Sequence, residues 1–481
     1  MKINPVNIET IRNNHHRISS TSFVDRPNIS LPVRPSVVTV STIPRQVRNS
    51  SLKTQHEHSL TKDNRSRNVI DRVIRSPTKL IAVVPLALIT ISKTTIITST
   101  ITPRTTTITT ATTTTSTSAT TTPWNKFPAQ MTYSTGLSSG PYSVATGDVN
   151  GDNKTDIIVA NYGTDNVGVL INTGNGTFVT QVTYSTGFSF HPFSVTTADV
   201  NGDSKIDIIV ANNVADNVGV LLNTGTGTFS GQVTYATGSS SYPCSVAAAD
   251  VNGDTHLDII VLNYFSHNVG VFFNTGTGTF GAQMTYSTGS NSYPYSVAVV
   301  DVNGDSKIDI IVANSNAANI GVLLNTGIGT FVAQVSYTTG TSSYPYSVAV
   351  ADVNGDSKVD IIVANANADN VGVLLNTGTG TFAAQMSYTT GASSSPYYVV
   401  TTDVNGDTYL DIIVANKDSD KFGVFLNTGN GTFIGQVTYS TGSASQAYFV
   451  AAADLNGDTR VDIIVANRNA NNVGVFLAAC N

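Results

Sequence analysis

From residue 127 to residue 481, short apolar runs return on a fixed beat, each closed by Gly, Asn, Ser or Asp. One copy contains Thr381-Phe-Ala-Ala-Gln-Met-Ser-Tyr-Thr-Thr-Gly391, then a serine-rich tip, then Pro396-Tyr-Tyr-Val-Val-Thr-Thr-Asp403. An acidic loop leads into Leu410-Asp-Ile-Ile-Val-Ala-Asn416, and a variable link leads into Phe422-Gly-Val-Phe-Leu-Asn-Thr-Gly429. These are β-strand signals separated by turn residues. We label the strands A (before the acidic loop), B (after it), C (the Val-Gly-Val-Phe-Leu type) and D (the Gln-Val-Thr-Tyr type). Strand B, as in Ile157-Ile-Val-Ala160, is continuously apolar and is expected to be buried on both faces. Strand D, as in Gln181-Val-Thr-Tyr184, alternates and suits a half-exposed outer edge.

The acidic loops begin at Asp148, Asp199, Asp250, Asp301, Asp352, Asp403 and Asp454, and each differs from the last by 51 residues (199 − 148 = 51), so no copy carries a net insertion. Four antiparallel strands repeated at such a period predict an all-β, seven-bladed β-propeller. The region starts with a D segment, Phe127 to Gly136, and stops after a C segment, Val473 to Leu477. The first D segment is therefore expected to supply the outer strand of the last blade and lock the ring.

Charge sharpens this picture. Charged residues are only 12 % of the chain and the net charge is −6, but residues 1–79 hold 14 Lys+Arg against 5 Asp+Glu. After residue 79 the balance is 11 against 26, and 21 of those acids lie in the seven loops. Repulsion from phosphate argues against a nucleic-acid partner for this part. Residues 1–79 lack apolar periodicity and read as a disordered basic segment. Residues 80–101 contain the apolar run Leu80 to Ile91 and read as a membrane signal-anchor or internal signal, the alternative being an apolar stretch of a disordered segment. The positive charge before it would hold the N-terminus in the cytoplasm and send the rest outward. Residues 102–126 belong to a threonine-rich stalk or linker, with 18 threonines across residues 94–122. The two cysteines, Cys244 and Cys480, form no framework and read as small apolar residues at strand ends.

Each acidic loop presents side-chain oxygens at its first, third, fifth and ninth positions, the spacing of a calcium loop, with up to seven Ca2+ ions, one per blade. The candidate ligands are Asp148, Asn150, Asp152 and Asp156 in the first copy, and Asp199, Asn201, Asp203 and Asp207 in the second. Next come Asp250, Asn252, Asp254 and Asp258, then Asp301, Asn303, Asp305 and Asp309, then Asp352, Asn354, Asp356 and Asp360. The last two sets are Asp403, Asn405, Asp407 and Asp411, and Asp454, Asn456, Asp458 and Asp462. The carbonyl of Lys154 is a further candidate in the first copy. Three carboxylates in one hairpin repel by roughly 1–4 kcal/mol per pair without a cation. The alternative is an Asx-turn that spends Asp and Asn on local hydrogen bonds.

The run Asp-Val-Asn-Gly-Asp-x-x-x-Asp-Ile-Ile-Val-Ala-Asn, followed by Val-Gly-Val-Leu-Leu-Asn-Thr-Gly-x-Gly-Thr-Phe, resembles the FG-GAP/VCBS repeats of integrin α-chain propellers. The resemblance covers residues 127–481. It implies a calcium-stabilised, cell-surface or extracellular binding or adhesion module. One departure stands out: where the family places Gly after the third ligand, this chain has Asn153, Ser204, Thr255, Ser306, Ser357, Thr408 and Thr459. A positive φ is expected there, which Gly adopts most easily.

Alternating strands put the A–B loops and C–D turns on one face, and the variable B–C and D–A turns on the other. A protein or glycan ligand is expected on that second face, and aromatic and His content singles out copies one to three. The resemblance points to the same face. The other readings are a propeller-type lectin or a non-catalytic module of a secreted enzyme. Catalysis is not expected, because the repeats hold only His191, His256 and His267, no Glu, and no G-x-S-x-G or H-E-x-x-H motif. Asn153, Asn175 and Asn430 lie in glycosylation sequons.

Overall fold

The computed structural model of the chain describes residues 127–479. The segments 1–79 and 80–101, the stalk up to residue 126, and Cys480 lie outside the described residues. The described chain forms seven four-stranded antiparallel sheets, the blades of a β-propeller. In blade 1, strand A spans Pro141–Gly147, B spans Asp156–Asn161, C spans Asn166–Leu170 and D spans Val182–Ser185. Strand A of blade 2 begins at Pro192, one period of 51 residues after Pro141.

The side chains explain the layering. Ile157, Ile158, Val159 and Ala160 are wholly buried, so strand B has no solvent face. Val144 lies opposite Val159, Ile157 opposite Leu170, and Val167 opposite Tyr184. In strand D, Val182, Thr183 and Ser185 are exposed and only Tyr184 is partly shielded. The expected buried middle and half-exposed outer edge are both present. Gly168 in strand C is needed for space: a Cβ there would lie 1.9 Å from Oε1 of Gln181. The Gln181 amide crosses that gap, accepting from Asn161 Nδ2 (3.3 Å) and donating to the carbonyl of Thr135 (2.6 Å).

Neighbouring blades are joined by recurring contacts. The Tyr184 ring meets Phe229 of the next blade edge-on (5.3 Å, 81°), and its hydroxyl donates to the Gly227 carbonyl (3.2 Å). Asn223 Nδ2 donates to the Val149 carbonyl in the acidic loop of the preceding blade (2.7 Å). Across the junction of chain ends the same pair appears, with Tyr133 against Phe178 (5.3 Å) and Asn172 Nδ2 on the Leu455 carbonyl (2.8 Å). That junction closes as the order of segments implied: Gln130–Ser134 pairs antiparallel with Asn472–Phe476 as the outer strand of blade 7. Phe127 sits one period before Phe178 and supplies the seventh blade's aromatic anchor. It is buried edge-on against Phe422 (5.8 Å, 71°) and Tyr439 (5.3 Å, 84°).

The centre of the ring is aromatic. Strand A bulges between Pro141 and Ser143, so Tyr142 has no cross-strand partner, and the other six A strands bulge at the same place. The residues at that position meet one another across blades. Tyr142 packs on Phe193 (5.3 Å) and Tyr448 (5.5 Å), Tyr397 on Tyr346 (4.9 Å) and Tyr448 (4.7 Å), and the hydroxyls of Tyr295 and Tyr397 are hydrogen-bonded. Cys244 holds the same strand position in blade 3 and is buried within this cluster.

Candidate functional site

Each acidic loop follows strand A and enters strand B, and one pattern of bonds recurs in all of them. Asp148 Oδ1 accepts from the amides of Gly151 (2.7 Å) and Asp152 (3.1 Å), and its Oδ2 from Asn153 (2.7 Å). Asn150 Oδ1 accepts from the Asp152 amide (3.0 Å), and Asp152 Oδ1 from the Lys154 amide (3.0 Å). Asp156 is fully buried at the start of strand B, where it accepts from the Val149 amide (3.0 Å) and the Asn172 amide (2.8 Å). It thereby ties the acidic loop to the C–D turn on the same face. The Asx-turn bonding is therefore present at all three leading positions.

Residue six of every loop is forced into the left-handed region, with φ from +61° at Asn153 to +74° at Thr408. This is the positive φ expected from the missing glycine. Desolvation raises the Asp156 carboxyl to about 6, and the charges of Asp152 and Asp148 push the same way. Asp258, Asp309 and Asp360 also reach about 6 and Asp411 about 7, again mainly through burial. The fifth-position carboxylates are paired differently, Asp152 with Lys154 Nζ (3.0 Å) and Asp203 with Lys205 (2.9 Å). Asp305, Asp356 and Asp458 have the matching cation, whereas copies three and six carry His256 and Tyr409 there.

As a calcium site the donor set is chemically apt: all oxygen, three carboxylates and one amide, with one buried carboxylate that has no cationic partner among the described residues. A carboxylate has about four lone-pair sites, so the amide bonds leave some unused. Among the described residues, no three carboxylate, imidazole or thiol groups are gathered as a metal cluster.

The opposite face is built from the variable turns. The Gly163 amide donates to the Ser139 carbonyl (2.8 Å), Asn213 to His191 (3.1 Å) and Phe265 to Ser241 (3.1 Å), so each B–C turn is bonded to the D–A turn that precedes its own blade. Carboxylates also link the turns: Asp165 Oδ2 accepts from Ser189 (2.7 Å) and its Oδ1 from His191 (2.8 Å), and Asp216, Asp369 and Asp420 repeat this. The residue before each A-strand proline is left-handed even where it is bulky, as at His191, Tyr242, Tyr293 and Tyr344 (φ +49° to +51°). Two aromatic groups surface here. Tyr162 stacks between Tyr142 (4.4 Å) and His191 (4.6 Å), and Tyr264, Phe265 and Tyr293 pack together with His267.

Comparison with known proteins follows this geometry. The FG-GAP-like repeat model matches six times, at 148–210, 199–261, 250–312, 301–363, 352–414 and 403–465, each match running from one acidic loop through the next. The chain belongs to the FG-GAP-like repeat family. Cartilage acidic protein 1 of Mus musculus is 25 % identical over 267 residues, 47 % of this chain and 40 % of that protein. The chain thus spans less than half the length of that relative. Among solved structures, a streptogramin B lyase aligns over 73 % of this chain and 98 % of its own, at 14 % identity and a TM-score of 0.54. A virginiamycin B lyase from Staphylococcus aureus aligns over 73 % and 99 %, at 12 % identity and a TM-score of 0.53. At those identities the likeness is one of fold.

In this FG-GAP-like propeller the 28 loop residues are brought into seven equivalent loops on one face, and His256 lies with them, away from His191 and His267. No helix among the described residues is long and apolar enough to cross a membrane. Two residues not singled out by the sequence reading stand at the centre of the turn face. Arg468 lies over Tyr142 (4.6 Å) and Tyr448 (5.0 Å), and Lys417 over Tyr397 (5.5 Å) and Tyr448 (5.6 Å). The signal was the column directly after strand B: Tyr162, Asn213, Tyr264, Ser315, Ala366, Lys417, Arg468. Only its last two members are cationic.

Proposed function

We propose that this propeller is an extracellular or cell-surface binding module, stabilised by calcium, that recognises a protein or glycan ligand through the B–C and D–A turns. One observation carries the reading. The chain's variable turns share a face and are bonded to one another there, whereas the near-identical loops opposite spend their carboxylates on their own amides and on joining strands A and B to the C–D turn. Binding is favoured over catalysis because the three imidazoles sit in separate turns, and His191, which has Asp165 beside it (3.6 Å), keeps its Nδ1 on the Tyr162 carbonyl (2.9 Å).

Calcium would be held by Asp148, Asn150, Asp152 and Asp156 and their six counterparts. When bound it supplies positive charge that offsets three carboxylates and fixes the A–B connection. The chain's own part is to present Asp156 from strand B and to orient the loop through the amides of Gly151 and Asn153. The name and sequence likeness of Cartilage acidic protein 1 support an extracellular setting. The binding test is an array of glycans and cell-surface ectodomains probed with the full-length chain, with and without calcium. Reproducible capture that is lost on substituting the turn-face residues Tyr162 and Phe265 supports the reading. Capture that instead follows the acidic loops would overturn it.

A further inference from the structure

Between the seventh and first blades, the turn face opens into a recess of about 230 Å³ lined by Ser138, Gly140, Tyr142, Tyr162, Arg468 and Asn471, with Gly163 and Asn469 at its edge. We propose that this recess binds the carboxylate of an acidic sugar, such as a uronic acid, at the exposed end of a glycan. The proposal rests on the reading of the turn face as the ligand face and names the ligand class.

The charge comes first. Arg468 donates from Nη1 to the Tyr448 hydroxyl (3.1 Å) and lies over both the Tyr142 and Tyr448 rings, which holds its position. No carboxylate of the described residues forms an ion pair with it. A stacked guanidinium with unspent donors is suited to bidentate recognition of a planar carboxylate.

The turn position that carries Asp165, Asp216, Asp369 and Asp420 in four blades carries His267 and Ala318 in two others and the neutral Asn471 here. Asn471 does the same capping work, its Oδ1 accepting from the Gly140 amide (2.9 Å). None of the eight lining residues is acidic. Lys417 in the adjacent blade also lies over the shared Tyr448 ring, with its charge paired to Asp418 (3.4 Å).

Shape and polarity favour a sugar over an acidic peptide. The volume lies below the ~300–1,000 Å³ of sites for drug-sized ligands, and suits a single ring. The Tyr162 ring, stacked between Tyr142 and His191, lines the recess with its edge. The exposed Ser138 and Asn469 offer hydroxyl and amide groups for ring hydroxyls. A peptide carboxylate would use Arg468 and leave the rest unused.

The test is surface binding of the full-length chain to chips bearing glucuronic acid, glucose, or an aspartate-rich peptide. The chain should bind the glucuronate chip, leave the glucose chip bare, and lose binding as salt is raised. Arg468→Gln should weaken glucuronate binding by roughly 10–100-fold, the worth of a hydrogen-bonded charge. Arg468→Lys should not restore it. Because Arg468 also packs on two rings, Asn469→Asp serves as a second variant. It alters an exposed side chain, leaves the packing untouched, and should weaken binding roughly tenfold by like-charge repulsion. Equal binding to glucose and glucuronate, or glucuronate binding that both variants retain, overturns the proposal. Arg468-dependent binding to the peptide chip alone overturns the sugar assignment and leaves the turn-face reading standing. Array ligands captured through the turn face without dependence on Arg468, with the glucuronate chip bare, overturn this site but not the broader function.

Discussion

Replacing Phe127 with alanine tests the ring closure at its most concentrated contact. The side chain is 2 % exposed and lies edge-on to two rings, Phe422 and Tyr439, on the blade preceding the junction. Removing a buried Phe costs about 3–5 kcal/mol from lost transfer energy and the cavity left behind. In a propeller of this size, that corresponds to a fall in Tm of about 4–7 °C. Phe280→Ala is the internal control, since Phe280 is nearly as buried and packs edge-on against Tyr235 (5.2 Å), within the run of consecutive blades. Both variants should lose similar stability in urea melts followed by circular dichroism. They should part company in hydrogen exchange. The amides of Met131 to Tyr133, which pair with Val475 to Val473, should exchange faster in Phe127→Ala and be unchanged in Phe280→Ala. A loss below about 1 kcal/mol with unchanged exchange at the junction would refute the role assigned to Phe127.

Other outcomes follow from the acidic loops. Thr255→Gly, Thr408→Gly and Thr459→Gly should each stabilise the chain by about 1 kcal/mol in urea melts, because φ of +68° to +74° strains a β-branched residue. A loss of stability in all three would show that the threonine methyls pack usefully. EDTA should lower Tm and added calcium should restore it; an identical melt in both would remove calcium from the account. The pH response should change sign with the metal. In EDTA, the buried aspartates with carboxyls raised to about 6 hold protons that the unfolded chain, near its ordinary value of about 4, has released. Stability of the metal-free chain should therefore rise as pH falls from 7.5 to 5. The lowered carboxyls of Asp203 and Asp356 act only below that window. With calcium bound, protons compete with the ion and acidification should destabilise. Melts that respond alike in both buffers would contradict this.

Much of this fold can be read from the chain because the repeat carries its own controls. Seven copies of Asp-Ile-Ile-Val-Ala-Asn or its near variants identify a buried strand more firmly than one copy could, and the order of first and last segments foretold the closure. The acidic loop was legible as a unit, but its internal bonding was not. The spacing of Asp148, Asn150, Asp152 and Asp156 serves an Asx-turn ladder as well as a cation, and only coordinates show the ladder filled. The bulge that gathers the central aromatic cluster was also hidden. Strand alternation predicts which face Tyr142 takes only if the strand is regular, and the bulge after Pro141 removes it from the count. Arg468 and Lys417 were missed because attention to aromatic and His content favoured copies one to three. Tyr162 from that sector does reach the recess, but it meets a cation from the far end of the sequence across the closed ring.

The central claim is that ligand recognition belongs to the turn face and structure to the acidic-loop face. It is tested most directly by measuring one captured array ligand against two variants of the full-length chain. One carries Tyr162→Ala with Phe265→Ala on the turn face, and the other carries Lys154→Ala with Lys205→Ala on the loop face. The account predicts that the first loses affinity by at least tenfold while folding normally, and that the second binds as the parent does. Retained binding by the turn-face variant, with loss in the loop-face variant, would contradict it.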